Sequence, residues 1–438
     1  MASKGSTAAH QGEVTEEHAD VPAAQQEAAA AVAAAGRAAL AAAPRLRQLP
    51  AEGLDETLRA IAARLGERTA EVVAANSRDV AAAKAEGLTA AFVDRLTLGA
   101  GRVAAMADQL RALAEIGAEQ ARVRVRDLHD GLELQEWRRP VGVIGANFEA
   151  RPNVVVDIAS QLIKSRNAGV LRTGSSAIGS AGVLIDEVVG PAMASTGLDP
   201  AAIQLLRSPG RQTALALVRE PALIPLVILR GSGESTRALA REAALHGVRT
   251  LAHADGGAVI YLDSSADRAL ALQLIETSLD RLGVCNRLNL LLVQQETWEV
   301  MVPLVTKLAE RLGVALSLPP HQHPLGLEWA LEPGSEATMT VAPAAGAADA
   351  AEIANTETSG LAAAIVAEDA AAAGRFLDAY AGTGAFWNAS PRLLDGFKLL
   401  SVPETGINVD AVPGPRGPVT FRDLYLRQYA VVPRRPAF

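Results

Sequence analysis

The chain has a single cysteine in 438 residues, which excludes an intramolecular disulfide and agrees with a reducing compartment. Aromatic side chains supply only 3% of it, so its cores must be filled by aliphatic residues, alanine above all. It has no basic excess. Its 41 lysines and arginines face 49 acids, a formal charge of -8 that offers no broad footprint for nucleic acid or an anionic membrane. No uninterrupted apolar run reaches membrane-spanning length, because Arg37 and Pro44 break the alanine-rich stretch near 28–44. The N-terminal segment is polar, carries acids and lacks the apolar stretch of a signal peptide. A soluble, cytoplasmic protein is expected, with residues 1–21 as a disordered tail.

What is present points to two or three domains of mixed α/β type. From about 22 to 120 the pattern is helical, with apolar residues at spacings of three and four and Asn76-Ser77 expected to end one helix. GLELQEWRRP (131–140) alternates like an exposed or edge strand. PVGVIGA (140–146) is a continuous apolar run, as in a parallel sheet buried on both faces. Strands and helices then alternate, which predicts a doubly wound α/β domain over roughly 130–255. Within it RTLAHADGGAVIYLD (249–263) reads as a strand pair around a tight turn. A second α/β unit runs from a helix at 266–281 to about 400, and the Pro- and Gly-rich tail carries a further strand in TFRDLYLRQYAVV.

Cys285 lies in a Gly-Val-Cys-Asn turn between a helix and a strand, the partly exposed setting thiolate chemistry needs. A buried structural cysteine is the competing reading. Gly231-Ser232-Gly233 follows a buried strand and opens a helix, so its amides can meet a phosphate. The third glycine of the dinucleotide fingerprint is missing, and a plain strand–helix turn stays open. Arg172, Gly174 and Ser175 form a similar junction, where Arg172 can face phosphate oxygens or simply be a surface arginine. Asn147, Glu149, Arg151 and Asn153 sit just past a buried strand, where α/β sheets meet their substrates. Arg151 can clamp a carboxylate or phosphoryl group, unless the segment is only a helix entry opened by Pro152. His253, two residues before Asp255, suits proton handling or a structural hydrogen bond. His321 and His323 lack further clustered ligands, so no metal is expected.

Taken in order, several segments resemble the gamma-glutamyl phosphate reductases (glutamate-5-semialdehyde dehydrogenases), a branch of the aldehyde dehydrogenase superfamily. They are AANSRDVAAAKAEGLTAAFVDRLTL (74–98), PVGVIGANFEARPNVVVD (140–157), LIKSRNAGVLRTGS (162–175), ILRGSGES, HADGG, GVCN (283–286), SGLAAAIVAED (359–369), NASPR (388–392) and RGP (416–418). The resemblance implies an aldehyde-dehydrogenase-like fold. A Rossmann-type NAD(P)-binding domain would span 22–254, a catalytic cysteine domain 255–402, and a return segment 403–438. Strands from 131–139 and 414–434 would form a small oligomerisation extension, giving a homodimer or homotetramer.

It implies NADPH-dependent reduction of L-glutamyl 5-phosphate to L-glutamate 5-semialdehyde in proline biosynthesis, fed by a glutamate 5-kinase-like enzyme. Cys285 would form a thioester, with oxyanion donors near Asn286. His253 stands where hydrolytic aldehyde dehydrogenases carry a glutamate base, which disfavours release to water. Arg172, Gly174, Ser175, Gly231, Ser232 and Gly233 would hold the cofactor, with Glu332 at its ribose. Asn147, Glu149, Arg151, Asn153, Arg287 and Glu404 would meet the substrate. The sequence departs from the family at Arg166 (a glycine there), Leu282 (a proline), Arg287 (a small residue) and Asn289 (a glutamate). In 393–408 Glu404 is kept but the glycines are largely lost. A relative acting on another amino-acid acyl phosphate would show such changes. A silent scaffold keeping the fold is a third reading, against which Cys285 and the glycine turns count.

Overall fold

The computed structural model describes residues 21–231, 233–253, 256–410 and 414–434; the tail at 1–20 lies outside them. Five helices open the chain: α1 (Val21–Gln48), α2 (Ala51–Glu67), α3 (Thr69–Ala85), α4 (Ala90–Leu96) and α5 (Ala100–Glu115). In α2 the three–four spacing puts Leu54, Leu58, Ile61 and Leu65 on one buried stripe, which packs on Met106, Leu110 and Leu113 of α5. Asn76 does not end a helix. It is buried within α3, where Nδ2 donates to Leu96 O (2.9 Å) and Ser180 Oγ (3.2 Å) and Oδ1 accepts from Leu98 N at 2.6 Å. Its partners come from far along the chain, so a local capping signal misreads it. These bonds fix the chain that leaves α4, whose start is capped by Thr89.

The change of texture comes earlier than the composition suggests. β1 (Arg122–Asp127) and β2 (Leu132–Pro140) pair antiparallel, and β2 is the centre, not the edge, of a three-stranded sheet. β1 escapes the sequence pattern because RVRVRD buries almost nothing.

A five-stranded parallel sheet follows, built from β3 (Val143–Phe148), β4 (Ala168–Thr173), β5 (Ile203–Leu205), β6 (Leu226–Arg230) and β7 (Arg249–His253) in the order β5-β4-β3-β6-β7. β3 and β4 are buried from end to end, and β6 up to Arg230, because α6 (Val154–Lys164), α1 and the helical run from α7 (Ile178–Val183) to α8 (Gly190–Ser195) cover the sheet. That run, Ser175–Ser195, is apolar and long enough to span a bilayer, yet more than half of it is buried inside the protein. α9 (Arg211–Leu217) and α10 (Gly233–Leu245) flank β6. Strand order reverses beside β3, so a crevice opens beyond the carboxyl ends of β3 and β6. There Glu149 N donates to Arg230 O at 3.1 Å.

The expected strand pair at 249–263 is instead two strands of different sheets. β7 pairs with β6, whereas β8 (Ala258–Leu262) belongs to a six-stranded parallel sheet. The alternating apolar residues on either side of His253–Gly257 look like a hairpin, but β7 is an edge strand paired parallel with β6, and β8, buried from end to end, has parallel partners on both sides. After β8 come α11 (Arg268–Ser278), β9 (Leu288–Gln294), α12 (Trp298–Leu312), β10 (Ala315–Ser317), β11 (Thr338–Ala344), α13 (Ala347–Glu357), β12 (Ala362–Val366), α14 (Ala370–Ala379) and β13 (Gly384–Trp387). The sheet order is β10-β11-β9-β8-β12-β13. A short α15 (Gly396–Leu400) leads to β14 (Gly406–Asn408) and β15 (Gly417–Val419), which return the chain to β7 through Ala252 N and Asn408 Oδ1. β16 (Tyr425–Pro433) then lies antiparallel along β2, and Leu426, Tyr429 and Val431 are left exposed on it.

Arg166 follows α6 at φ +63°, the left-handed region that a glycine enters without cost. Its guanidinium donates to the carbonyls of Leu46, Arg47 and Leu49, which would otherwise be orphaned as α1 ends.

Replacing Asn76 by leucine, similar in volume, should strand Leu98 N and remove both Nδ2 bonds. A loss of about 2–3 kcal/mol is expected, read as a lower urea midpoint with unchanged slope. A midpoint equal to the parent's would show that this polar contact does not hold α3 to α4.

Candidate functional site

Cys285 sits in the loop between α11 and β9, half-buried, and is held there by backbone rather than by its side chain. Gly257 N donates to Cys285 O (2.7 Å) and Ala258 N to Arg287 O (2.8 Å), so the strand entering the second sheet stitches the thiol loop in place. The approach leaves no room at Gly256, where a Cβ would stand 2.7 Å from Cys285 O and 2.9 Å from its Cα. Gly257 adds a φ of +91°. The Asn286 side chain faces away from the thiol: Nδ2 donates to Arg392 O (3.3 Å) and Leu394 O (3.0 Å), and Oδ1 accepts from Arg392. It anchors the loop to the segment before α15.

Two cavities meet at this loop. The first, about 280 Å³, is walled by Glu149, Gly231, Gly256, Glu328 and Cys285, with Phe92 of α4 across from them. The second, about 290 Å³, reaches from Arg102 and Gln109 of α5 past Asn153 and Asp157 of α6 to Asp395 and Glu404. Arg95, Arg151 and Arg230 line both.

Burial pushes the Cys285 thiol up from its ordinary value. The Arg151 and Arg230 guanidiniums pull it down, while Glu404 and Glu328 push it further up. Burial and the facing Arg230 lower Arg151 to about 10, and its Nη2 reaches only Gly283 O at 3.4 Å. Burial raises Asp157 to about 6 against the pull of Arg230 and of Asn153, whose Nδ2 donates to Asp157 Oδ2 at 2.8 Å. Burial, then the charge of Asp395, raises Glu404 to about 7, although it accepts Gly396 N at 2.5 Å.

The other expected residues divide. Glu149 stands beside Gly231, whose Cβ would come within 3.2 Å of the Glu149 carboxyl, and Oε1 accepts Ser235 Oγ at 3.2 Å. Gly233 opens α10. Ser232 and the His253 side chain lie outside the described residues. Gly174 and Ser175 follow β4 with Ser175 exposed. Arg172 is buried, donating to Asn147 Oδ1 (3.0 Å) and to the Pro209 and Gly210 carbonyls, so it braces the floor of the crevice. Its Nε has no partner among the described residues. Glu332 is exposed and lines neither cavity, whereas Glu328 does and accepts Gly256 N at 2.7 Å. Arg287 is buried behind β9, donating to Thr338 O at 3.1 Å, and faces neither cavity.

Sequence reasoning did not single out Arg95, Arg230 or Glu328. Arg230 had one signal, its place immediately before the glycine turn. Arg95 lay within the family-like segment 74–98 but was not picked out of it, and Glu328 had no signal, because α4 and the 327–329 segment reach the site only through tertiary contacts.

A thiol between two cavities, one at the switch point of a doubly wound sheet, is an arrangement with known relatives. The aldehyde dehydrogenase family matches residues 6–322. The chain belongs to the aldehyde dehydrogenase family. A gamma-glutamyl phosphate reductase of Thermobifida fusca is 33% identical over 405 residues, covering 89% of this chain and 94% of that one. One from Clavibacter michiganensis is 36% identical over 388 residues, covering 86% and 88%. The crystal structure of gamma-glutamyl phosphate reductase from Thermotoga maritima superposes with a TM-score of 0.80 at 24% identity, over 92% of this chain and 98% of that one. Aldehyde dehydrogenases use a nicotinamide cofactor. The residues at the crevice fit one: Gly231 leaves bare backbone beside the Glu149 carboxyl, and Gly256, kept bare by the Cys285 backbone, lies beside Glu328.

Two outcomes are expected. Gly256→Ala forces a backbone clash with Cys285 and should lower kcat about 100-fold or more; a variant as active as its parent would show that the thiol loop tolerates displacement. Glu404 takes up a proton more readily folded (about 7) than unfolded (4.5), so its contribution to stability is greatest at low pH and is lost as pH rises through 7. Between about pH 5 and 8 the melting temperature of Glu404→Gln should therefore fall less than that of the parent. Asp157 acts with the same sign and leaves some slope; equal slopes would place Glu404 in a wetter setting.

Proposed function

We propose that the chain reduces L-glutamyl 5-phosphate to L-glutamate 5-semialdehyde and phosphate, with NADPH as reductant, in proline biosynthesis in the cytoplasm. The observation that carries this reading is the sole cysteine held between the cofactor crevice and a cavity of mixed charge, in a chain whose relatives bear that name.

Cys285 is the nucleophile. As a thiolate it attacks the acyl carbon and phosphate leaves, giving a thioester that is far more reducible than a carboxylate. Arg151 and Arg230 favour the thiolate that burial opposes. Gly231 and the start of α10 offer amides to the cofactor's phosphates, and Glu328 is the carboxylate placed for its ribose in the position expected of Glu332. Bound nicotinamide supplies the hydride that takes the thioester to the aldehyde level.

The second cavity suits the amino-acid end of the substrate, which carries both an ammonium and a carboxylate. Arg102 and Arg281 line it, and so do Asp157, Asp395 and Glu404. An arriving ammonium favours the ionised form of Asp157 and Glu404, which burial holds partly neutral. A glutamate 5-kinase-like enzyme supplies the acyl phosphate, and the exposed face of β2 and β16 pairs subunits into a homodimer or homotetramer.

The reverse reaction tests the reading: phosphate-dependent NADP⁺ reduction with glutamate 5-semialdehyde, parent beside Cys285→Ala. Activity in the parent and none in the variant is the expected result. Well-folded parent protein with no activity would overturn the substrate assignment, and an active Cys285→Ala would overturn the nucleophile.

A further inference from the structure

Five arginines surround the junction of the two cavities, and they are not equivalent. Arg102 and Arg281 share Asp94, at 2.8 and 2.9 Å. Arg95, Arg151 and Arg230 line both cavities, and among the described residues the ion pairs beside them belong to Arg102 and Arg281, not to these three. Among the described residues, Arg95 Nε is buried without a partner, and the one hydrogen bond of Arg151 is a long one to the Gly283 carbonyl. Arg151 faces Arg230 and Arg95, and their charges oppose its own. Glu328, Glu149 and Asp94 act on Arg95 from beyond ion-pair distance, so an anion seated among the three guanidiniums would relieve the repulsion. The anion that visits this spot in the reaction proposed above is a phosphoryl group.

We propose that Arg95, Arg151 and Arg230 form the subsite that holds the phosphoryl group of the acyl phosphate and receives the phosphate that leaves. The inference rests on the function proposed above. The Cys285 thiolate gives its electron pair to the acyl carbon, forming the C–S bond and placing charge on the acyl oxygen. When that charge returns, the bond from carbon to the bridging oxygen breaks. The bridging oxygen leaves with its electron pair as part of inorganic phosphate, whose growing charge the three guanidiniums meet. Arg95 and Arg230 thereby join Arg151, expected to meet the substrate, as residues that touch its phosphoryl group, and α4, remote from the cysteine in sequence, becomes part of the active site.

Because Cys285 is the only cysteine, its alkylation by iodoacetamide reports on this spot alone. Inorganic phosphate should slow alkylation of the parent saturably, by offsetting the guanidinium charge that favours the thiolate; glycerol at equal concentration should not. In Arg95→Gln and in Arg230→Gln the half-saturating phosphate concentration should rise about tenfold or more, with Arg230→Lys recovering part of the loss. Phosphate with no effect on the parent, or with equal effect on parent and both variants, would overturn the subsite. The parent measurement decides even if a variant fails to fold. Saturable protection without any oxidation of glutamate 5-semialdehyde would instead sink the proposed substrate and leave the anion site standing.

Discussion

The cleft depends on one close contact, the backbone of Gly256 and Gly257 lying against the backbone of Cys285. Here the chain leaves the five-stranded sheet and enters the six-stranded one, and here the thiol loop is bonded to that crossing strand. A side chain at 256 would overlap main-chain atoms, which cannot rotate aside as the end of a side chain can. The contact extends the β8–β9 pairing back to the nucleophile, at the point where the chain arrives from the five-stranded sheet. The separate helices and loops of the two sheets supply the two cavities on either side. Nucleophile, crevice and cavity keep their mutual distances because they share this seam, and geometry of that rigidity is what positions a bond-forming sulfur.

Around the seam, burial works against charge. It raises the thiol of Cys285 and the carboxyls of Asp157 and Glu404, and it lowers the guanidinium of Arg151. Every one of these groups is held nearer neutrality than in water, and each is sensitive to the charge of its neighbours because solvent screens little there. A site built this way responds to a charged ligand as a whole: an anion eases the arginines, a cation eases the acids. The mixed lining of the second cavity is thus better matched to a ligand bearing both signs than to a simple aldehyde.

Much of the fold was legible because its strands are buried on both faces and read as continuous apolar runs, as at Val143–Phe148 and Leu288–Gln294. The break between β7 and β8 was hidden, since two apolar stretches around glycines look alike whether they pair or part. Glu149, Arg151 and Asn153 were legible from their places beyond a strand end, and Cys285 from its glycine-bearing turn between a helix and a strand. Arg95 was not, because its position rests on Asn76 holding Leu96 and Leu98, a contact between helices that no local spacing encodes. Glu328 was missed in favour of Glu332 for a similar reason: Asn289 fixes the segment, donating to Leu327 O at 2.7 Å and accepting from Trp329 N at 3.2 Å, and turns Glu328 inward.

That bond also bears on the departures from the family pattern. Arg166 holds the end of α1, Arg287 holds the end of the loop before β11, and Asn289 holds the segment bearing Glu328; none of the three lines either cavity. They alter how the scaffold is braced, not what the substrate meets. Leu282 is different, because it lines the first cavity within three residues of the thiol. So is the stretch that has lost its glycines, which contributes Asp395, Phe397, Pro403 and Glu404 to the second cavity. Side chains have replaced bare backbone there, and α15 with its exposed Phe397, Leu399 and Leu400 stands at the same end. If this chain prefers one amino-acid acyl phosphate over another, residues 395–404 are where the difference is set, since there side chains stand in the second cavity where the family pattern has glycines.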